Sequence, residues 1–357
     1  MTKEQTQESI QNNEVPKQRN AYIDIFRIVC AIMVIVIHTF PFKDINPVVE
    51  SILVDYFPRI AVPFFLCVIS YFYIKKLNEG QEVKSTWIRL LRTYLIWTVV
   101  YFVYKITYLL TTGKFELSQF LLNTLSEVLL TGTGYQLWFF PAVFIGLGVI
   151  TLCHKFKILK PVSIISFVFF VIGLLGSIYY KLGNAIPVVS DIVNWVYFYD
   201  GIQRPFSFGL IFIFMGYFLY EFLKTHKKNN KLYISLLCVT FVFYVAEIFL
   251  AIHFNLQSNV KLSIFLWPLV FFIMVLLFTN GTNNPKTIKV SKATRDMSNF
   301  MYYSHVLILN LFGVINEYII TIPYFYTVSF FVTLIISALL GFIVHKCKNE
   351  KIKKYLL

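Results

Sequence analysis

Charge is scarce in this sequence, and acidic charge scarcest. Only 14% of the 357 residues are charged, with 18 Asp and Glu against 32 Lys and Arg. A soluble domain carries about 25% charged residues, so a soluble fold is excluded. Cysteine is sparse as well. Cys30, Cys67, Cys153, Cys238 and Cys347 make no CxxC pair and no metal-ligand spacing, so neither a metal site nor a disulfide framework is implied. There is no GxSxG elbow, no phosphate-binding glycine loop and no dinucleotide fingerprint. Internal repeats and low-complexity tracts are missing too. Residues 1–20 are polar and hold no apolar signal core.

What is there is apolar. The chain is 57% hydrophobic, with a mean hydropathy of +0.68. Apolar runs of about 18 or more residues recur along it, which predicts an all-α, polytopic membrane helix bundle. The first run, 21–42, shows no small-residue cleavage site and is expected to be a retained helix. A net charge of +14 could point to nucleic acid. The Lys and Arg residues instead cluster between the apolar runs, as the positive-inside rule requires, and nucleic acid is excluded as a partner.

About ten spans are expected, near 22–41, 52–74, 88–111, 137–154, 162–180, 204–223, 232–254, 262–279, 299–319 and 325–345. Loops after even-numbered spans are rich in Lys and Arg. The opposite loops carry only Lys43, Lys114, Lys181 and, at a span edge, Lys261. This asymmetry puts both termini in the cytoplasm. Residues 113–134 read as a short interfacial or re-entrant helix on the outer side. Residues 181–202 read as an outer loop with an aromatic piece, VNWVYFYDG, at the interface. The organisation is a polar cytoplasmic segment (1–20), a transmembrane domain (21–345) and a basic cytoplasmic tail (346–357). The expected location is the cell membrane, multi-pass, of bacterial plasma-membrane type.

The first span is the most informative. It holds Asp24, Arg27 and His38 within an otherwise apolar run. A charge at the centre of a membrane helix costs at least about 2.5–3.5 kcal/mol, so such residues are functional candidates. Arg27 and His38 are eleven residues apart, close to three helical turns, and so project from nearly one face about 16 Å apart along the axis. A polar residue at the outer interface is the plain alternative for His38. Arg89 and Arg92 open the third span from the cytoplasmic side, where ordinary flanking charge also explains them. Arg59 and Arg204 stand on the outer side, where the orientation rule does not ask for them. They suit an acceptor, or ion pairs with Asp55 and Asp200. His305 lies mid-span, and Trp138 has the alternative of an aromatic-belt anchor. Glu127, Glu247, Glu317 and Lys105 read as interface residues or internal pairs.

Together these features resemble the acyltransferase-3 family of integral-membrane acyltransferases. The features are Asp24-x-x-Arg27 with His38 following; Arg59-x-x-x-Pro63-Phe64-Phe65; Arg89-Leu90-Leu91-Arg92; Leu137-Trp138-Phe139-Phe140; and His305. The pairing of R-x10-H in span 1 with R-x-x-R in span 3 is the specific part, and the resemblance extends to about residue 345. The VPFF, LWFFPA and DGIQRPF stretches are also similar to the membrane portion of the serine racemases of glycopeptide resistance. The racemase portion is not among these residues.

The resemblance implies a reaction. An acyl group, acetyl by default, passes from cytoplasmic acyl-CoA to a hydroxyl on an extracytoplasmic or membrane-borne acceptor, such as a cell-surface glycan. It implies acetyl-CoA as donor and no metal. Arg27, Arg89 and Arg92 would hold the donor phosphates, since a guanidinium fork matches phosphate oxygens. His38 would act as base or transient acyl carrier, and Asp24 would orient Arg27. Arg59, Gln136, Trp138, Arg204 and His305 are acceptor-side candidates. The chain departs from the family pattern at Ile69-Ser70-Tyr71, where Ser-Gly is common, at Gln136, where His is common, and at Pro205, where Asn is common. The donor half therefore looks intact and the acceptor half unusual. A rival expectation is a membrane module for serine uptake, although the broken-helix pairs of repeat-built transporters are not seen. A homo-oligomer is compatible with either.

Overall fold

The computed structural model describes residues 21–225, 229–254, 261–278 and 284–357. The polar segment 1–20 and parts of the loops near 226–228, 255–260 and 279–283 lie outside the described residues.

The described residues are helical and contain no strand. Inside lipid a backbone must satisfy its own hydrogen bonds, and an apolar run does so as a helix. In chain order the helices are α1 (Ala21–Thr39), α2 (Pro47–Ser51), α3 (Ala61–Asn78), α4 (Lys84–Thr111), α5 (Leu117–Ser126), α6 (Phe139–Lys155), α7 (Leu159–Leu175) and α8 (Tyr180–Asn184). They continue as α9 (Ser190–Phe198), α10 (Asp200–Arg204), α11 (Leu210–Thr225), α12 (Asn230–His253), α13 (Ser263–Phe278), α14 (Pro285–Tyr318), α15 (Phe325–Lys346) and α16 (Glu350–Leu356).

Among the described residues, 7 helical stretches are long and apolar enough to cross a bilayer: Ala21–Thr39, Pro47–Asn78, Lys84–Thr111, Tyr135–Lys155, Ile202–Thr225, Asn230–His253 and Phe325–Lys346. The protein is therefore a polytopic all-α membrane bundle. Several of these stretches are not uniform α-helix. A π turn (Ile52–Tyr56) and a 3₁₀ turn (Phe57–Ile60) lead into α3, and a π turn (Pro205–Gly209) joins α10 to α11. π turns are frequent at functional sites; one of these precedes the 3₁₀ turn that holds Arg59, and the other begins directly after Arg204.

Two sequence expectations need correction. Residues 181–202 are not an irregular loop, because three short helices, α8, α9 and α10, occupy most of this stretch. Val193 and Val196, three apart on one face of α9, are buried, and Val196 packs against Gly176. The basic residues Lys286, Lys289, Lys292 and Arg295 are not in a loop either. They form the first turns of the 34-residue α14, capped by the Asn284 side chain with Pro285 in its first turn. Lys and Arg are good helix formers, and this cap starts the helix before the apolar run begins. At 1.5 Å per residue α14 is about 51 Å long, which exceeds a hydrocarbon core of about 30 Å. In the tail, α16, capped by Asn349, packs on α4.

The core sits where α14 lies between α1 and α15, and where α11 runs along α3. The second contact is close because its residues are small. The Ser70 hydroxyl donates to the Ile213 carbonyl at 2.5 Å, and the Cys67 thiol to the Phe212 carbonyl at 3.3 Å. A Cβ at Gly216 would stand 2.6 Å from the Ser70 Cβ. Small faces of this kind replace the hydrophobic drive that helices lack in lipid. They also account for Ser70 at its departure from the family pattern.

Candidate active site on one face of the first helix

Helix α1 is continuous from Ala21 to Thr39, so Arg27 and His38 keep the relation predicted for them, about 16 Å apart along the axis and roughly 20° apart around it. Each faces a different cavity.

Arg27 lines a cavity of about 510 Å³ together with Arg89, Arg92 and Arg295. Lys353 and Lys354 of α16 stand at its rim with Glu350, and Asp296 is in its wall. The Asp24 carboxylate is 3.7 Å from the Arg27 guanidinium and also accepts a hydrogen bond from the Ser291 hydroxyl. Arg27 is thus tethered from its own helix, and Asp24 is fixed by α14. Arg92 lies 5.7 Å from the Tyr355 ring of α16. The Nε atoms of both Arg27 and Arg92 are buried without a protein partner. A buried donor left unpaired costs about 1–3 kcal/mol, and an oxygen-rich anion in the cavity would relieve that cost. The lining therefore suits an anion with several oxygens, such as a phosphate.

His38 lines the second cavity, of about 230 Å³, with Arg59, Gln136, Trp138, Arg204 and Tyr302. It also borders a third, of about 740 Å³, with Tyr104, Tyr108, Asn310 and Glu317. The predicted ion pair of Arg59 with Asp55 is present at 3.2 Å. The other, between Arg204 and Asp200, falls on an Asp200 side chain outside the described residues. Arg204 stacks 5.4 Å over the indole of Trp138, so Trp138 is a cavity residue in contact with a cation. His305 is fully buried, and its ring is stacked on that of His38. Its Nδ1 is 3.0 Å from the Met301 carbonyl. A carbonyl only accepts, so the hydrogen is on Nδ1, and in the neutral tautomer Nε2 is the acceptor.

Gln136 is held on three sides. Its Nε2 donates to the Tyr101 hydroxyl at 2.5 Å and to the Tyr303 carbonyl at 3.1 Å, and its backbone carbonyl accepts from the Tyr302 hydroxyl at 3.0 Å. These bonds fix which way the amide points and leave Oε1 buried without a partner. The loop that delivers Gln136 depends on Gly132, whose φ is 78°. A Cβ there would stand 2.5 Å from the Trp138 amide nitrogen.

Tyr302 lines both the 510 Å³ and the 230 Å³ cavities. Its ring packs against Phe65 at 5.6 Å and Phe139 at 5.4 Å. These rings form an aromatic partition between the arginine-rich end and the histidine end.

Sequence reasoning missed Arg295, Tyr101, Tyr135, Tyr302 and Tyr303. Arg295 was counted as loop charge. Tyr135, whose ring meets His38 at 4.7 Å, and the other tyrosines sit among 23 in the chain, and no spacing distinguishes them. Lys105 and Glu127, given no role, form an ion pair at 2.5 Å. Glu247 accepts from the Leu262 and Ser263 amides at the start of α13 and from the Tyr179 hydroxyl. Among the described residues no group of three His, Cys, Asp or Glu could hold a metal.

Fold and site define a multi-pass helical membrane protein with cationic and imidazole groups at the two ends of one helix face. Residues 20–342 match the family described as an acyltransferase domain, and the chain belongs to this acyltransferase-3 family of membrane acyltransferases. It is similar to an amino-acid racemase of Enterococcus faecalis, 30% identical over 312 residues, which is 85% of this chain and 43% of that protein. A second amino-acid racemase of that organism is 26% identical, over 71% of this chain and 35% of the relative. A serine/alanine racemase of Enterococcus gallinarum is 26% identical, over 72% of this chain and 37% of the relative. The chain thus spans less than half the length of the curated relatives it matches. No solved structure matches it.

Proposed function

We propose that the protein is an integral-membrane O-acyltransferase. It moves an acyl group, acetyl by family resemblance, from cytoplasmic acyl-CoA to a hydroxyl on an extracytoplasmic or membrane-borne acceptor of the cell surface. The observation that carries this reading is the pair of cavities at opposite ends of one face of α1, one built on Arg27, Arg89 and Arg92 and the other on His38. The positive-inside pattern assigns the arginine end to the cytoplasm, where acyl-CoA is found. We retain ten spans as the topology that goes with this orientation.

The chain's own groups supply the chemistry. Arg27, Arg89, Arg92 and Arg295 bind the phosphates by charge-assisted hydrogen bonds. The flexible arm of the donor then carries the thioester past the Tyr302 partition toward His38. The His38 imidazole takes the acceptor hydroxyl's proton as its oxygen attacks the thioester carbonyl. The carbon–sulfur bond breaks, the new ester keeps the acyl group, and the proton on His38 returns to the departing thiolate. His305 and Tyr135 hold the His38 ring in place.

The test is turnover of acetyl-CoA by protein purified into nanodiscs. Unchanged acyl transfer in His38→Ala or Arg27→Ala would remove the core of the mechanism. A second reading is favoured by the racemase relatives: a membrane module for serine supply. Labelled serine accumulating in vesicles above the empty-vesicle level would support it, and no accumulation would sink it.

A further inference from the structure

The 230 Å³ cavity beside His38 differs in character from the donor cavity. Its lining carries two guanidiniums, Arg59 and Arg204, and no carboxylate. The donor cavity, by contrast, mixes its cations with Asp296 and Glu350. Arginine side chains this deep in a bundle are costly to place, so a pair of them lining one small cavity calls for an explanation. The Arg59 Nε is buried without a hydrogen-bond partner although the same guanidinium pairs with Asp55 through Nη2. Pairing with Asp55 therefore does not exhaust its donors. Arg204 rests on the Trp138 ring, an arrangement that orients the guanidinium and preserves its charge. Gln136, in the same lining, leaves Oε1 as a buried, unpartnered acceptor.

These groups make a complementary set. Two forks donate to an anion, and one amide oxygen accepts from a hydroxyl, all within a cavity that also holds the His38 imidazole. Resting on the acyltransferase reading, we propose that the acceptor is a small head group bearing an anion, carboxylate or phosphate, next to the hydroxyl that receives the acyl group. Arg59 and Arg204 bind the anion and set specificity, and Gln136 orients the hydroxyl toward His38. A neutral sugar hydroxyl brings no countercharge to the two guanidiniums, and its hydrogen bonds are weaker than those an anion accepts. A zwitterion brings an ammonium into a lining that offers it no carboxylate.

The experiment measures CoA release from acetyl-CoA by the full chain in nanodiscs, with four probes as acceptor. They are glycerol 1-phosphate, 3-hydroxybutyrate, neutral glycerol and zwitterionic L-serine. The two anionic probes are expected to raise CoA release above the acceptor-free rate and glycerol is not; which anionic probe does better separates phosphate from carboxylate. In Arg59→Gln and Arg204→Gln the KM for the anionic probe is expected to rise roughly 10–100-fold, the loss of one hydrogen bond to a charged group, while directly measured acetyl-CoA binding persists. A parallel titration of Trp fluorescence, with Trp138→Phe as reference, reads probe binding without requiring acyl transfer. Equal response to glycerol, a preference for L-serine, or an unchanged KM in both variants would overturn the inference. Absence of anionic-probe binding by the wild type, with acetyl-CoA still bound, would overturn it and leave the acyltransferase reading standing. Failure of the wild type to bind acetyl-CoA would instead sink the reading beneath it.

Discussion

The imidazoles of His38 and His305 are stacked, with ring centroids 5.3 Å apart and planes inclined by 22°. One belongs to α1 and the other to α14, so the packing of these helices sets the position of the proposed base. His305 is fully buried and bonded to the Met301 carbonyl. His305→Phe keeps a flat ring under His38 and removes that bond. Acyl transfer should fall, but by less than the 10²–10⁴-fold expected for losing a general base. The KM for acetyl-CoA should not move. A steady-state comparison of kcat and KM checks both.

Arg89 and Arg92 share their cavity with Arg27. Replacing both by Ala should raise the KM or Kd for acetyl-CoA by roughly 10–100-fold per lost charged hydrogen bond, from about 1.5–3 kcal/mol each. Calorimetry or equilibrium dialysis in nanodiscs measures it. A variant with wild-type donor affinity would remove the phosphate role.

Tyr302 stands between the two cavities, and its hydroxyl donates to the Gln136 carbonyl. Tyr302→Phe should cost about 1 kcal/mol of stability and little activity. Tyr302→Ala opens the partition and should raise acceptor-independent thioester hydrolysis. Free CoA released without acceptor reads this directly.

Gly132→Ala should be among the most damaging single methyl additions. The φ of 78° disfavours a side chain, and the added Cβ would stand 2.5 Å from the Trp138 backbone. Strain of this kind costs on the order of 1–3 kcal/mol. Thermal unfolding by intrinsic fluorescence should show a lowered midpoint, with Gly113→Ala, which has open space around it, as a milder comparison.

At the turn after α1, Asp44 accepts from the Thr327 hydroxyl at 2.5 Å and from its amide at 3.2 Å. Slight burial pushes the Asp44 carboxyl up, but these hydrogen bonds outweigh it and hold the group below the usual Asp range. A depressed folded value means the contribution is in place above the ordinary Asp pKa of about 3.9 and is lost as pH falls through the lower folded value. The midpoint gap between wild type and Asp44→Asn should therefore be present at pH 7 and close on strong acidification.

Much of the bundle was legible because lipid leaves an apolar run one option. The span expected at 22–41 is α1, that at 88–111 lies in α4, and that at 325–345 is α15. Helix periodicity alone put Arg27 and His38 on one face. The three-residue spacing of Arg89 and Arg92 does not by itself distinguish a cavity from ordinary flanking charge; the family resemblance did. The remainder depends on tertiary contact. Hydropathy ends a span where charge begins, so it truncated α14 and hid Arg295. An aromatic stretch with one buried face at Val193 and Val196 reads as loop when its partner, Gly176, is remote in sequence. Tyr302 gains its place only because α14, α3 and α6 converge on it.

The most direct test of the account is single-turnover acyl transfer from acetyl-CoA in nanodiscs, comparing wild type with His38→Ala at equal donor occupancy. The account predicts that donor binding survives in His38→Ala while transfer falls about 10²–10⁴-fold. Transfer at the wild-type rate in that variant would contradict it.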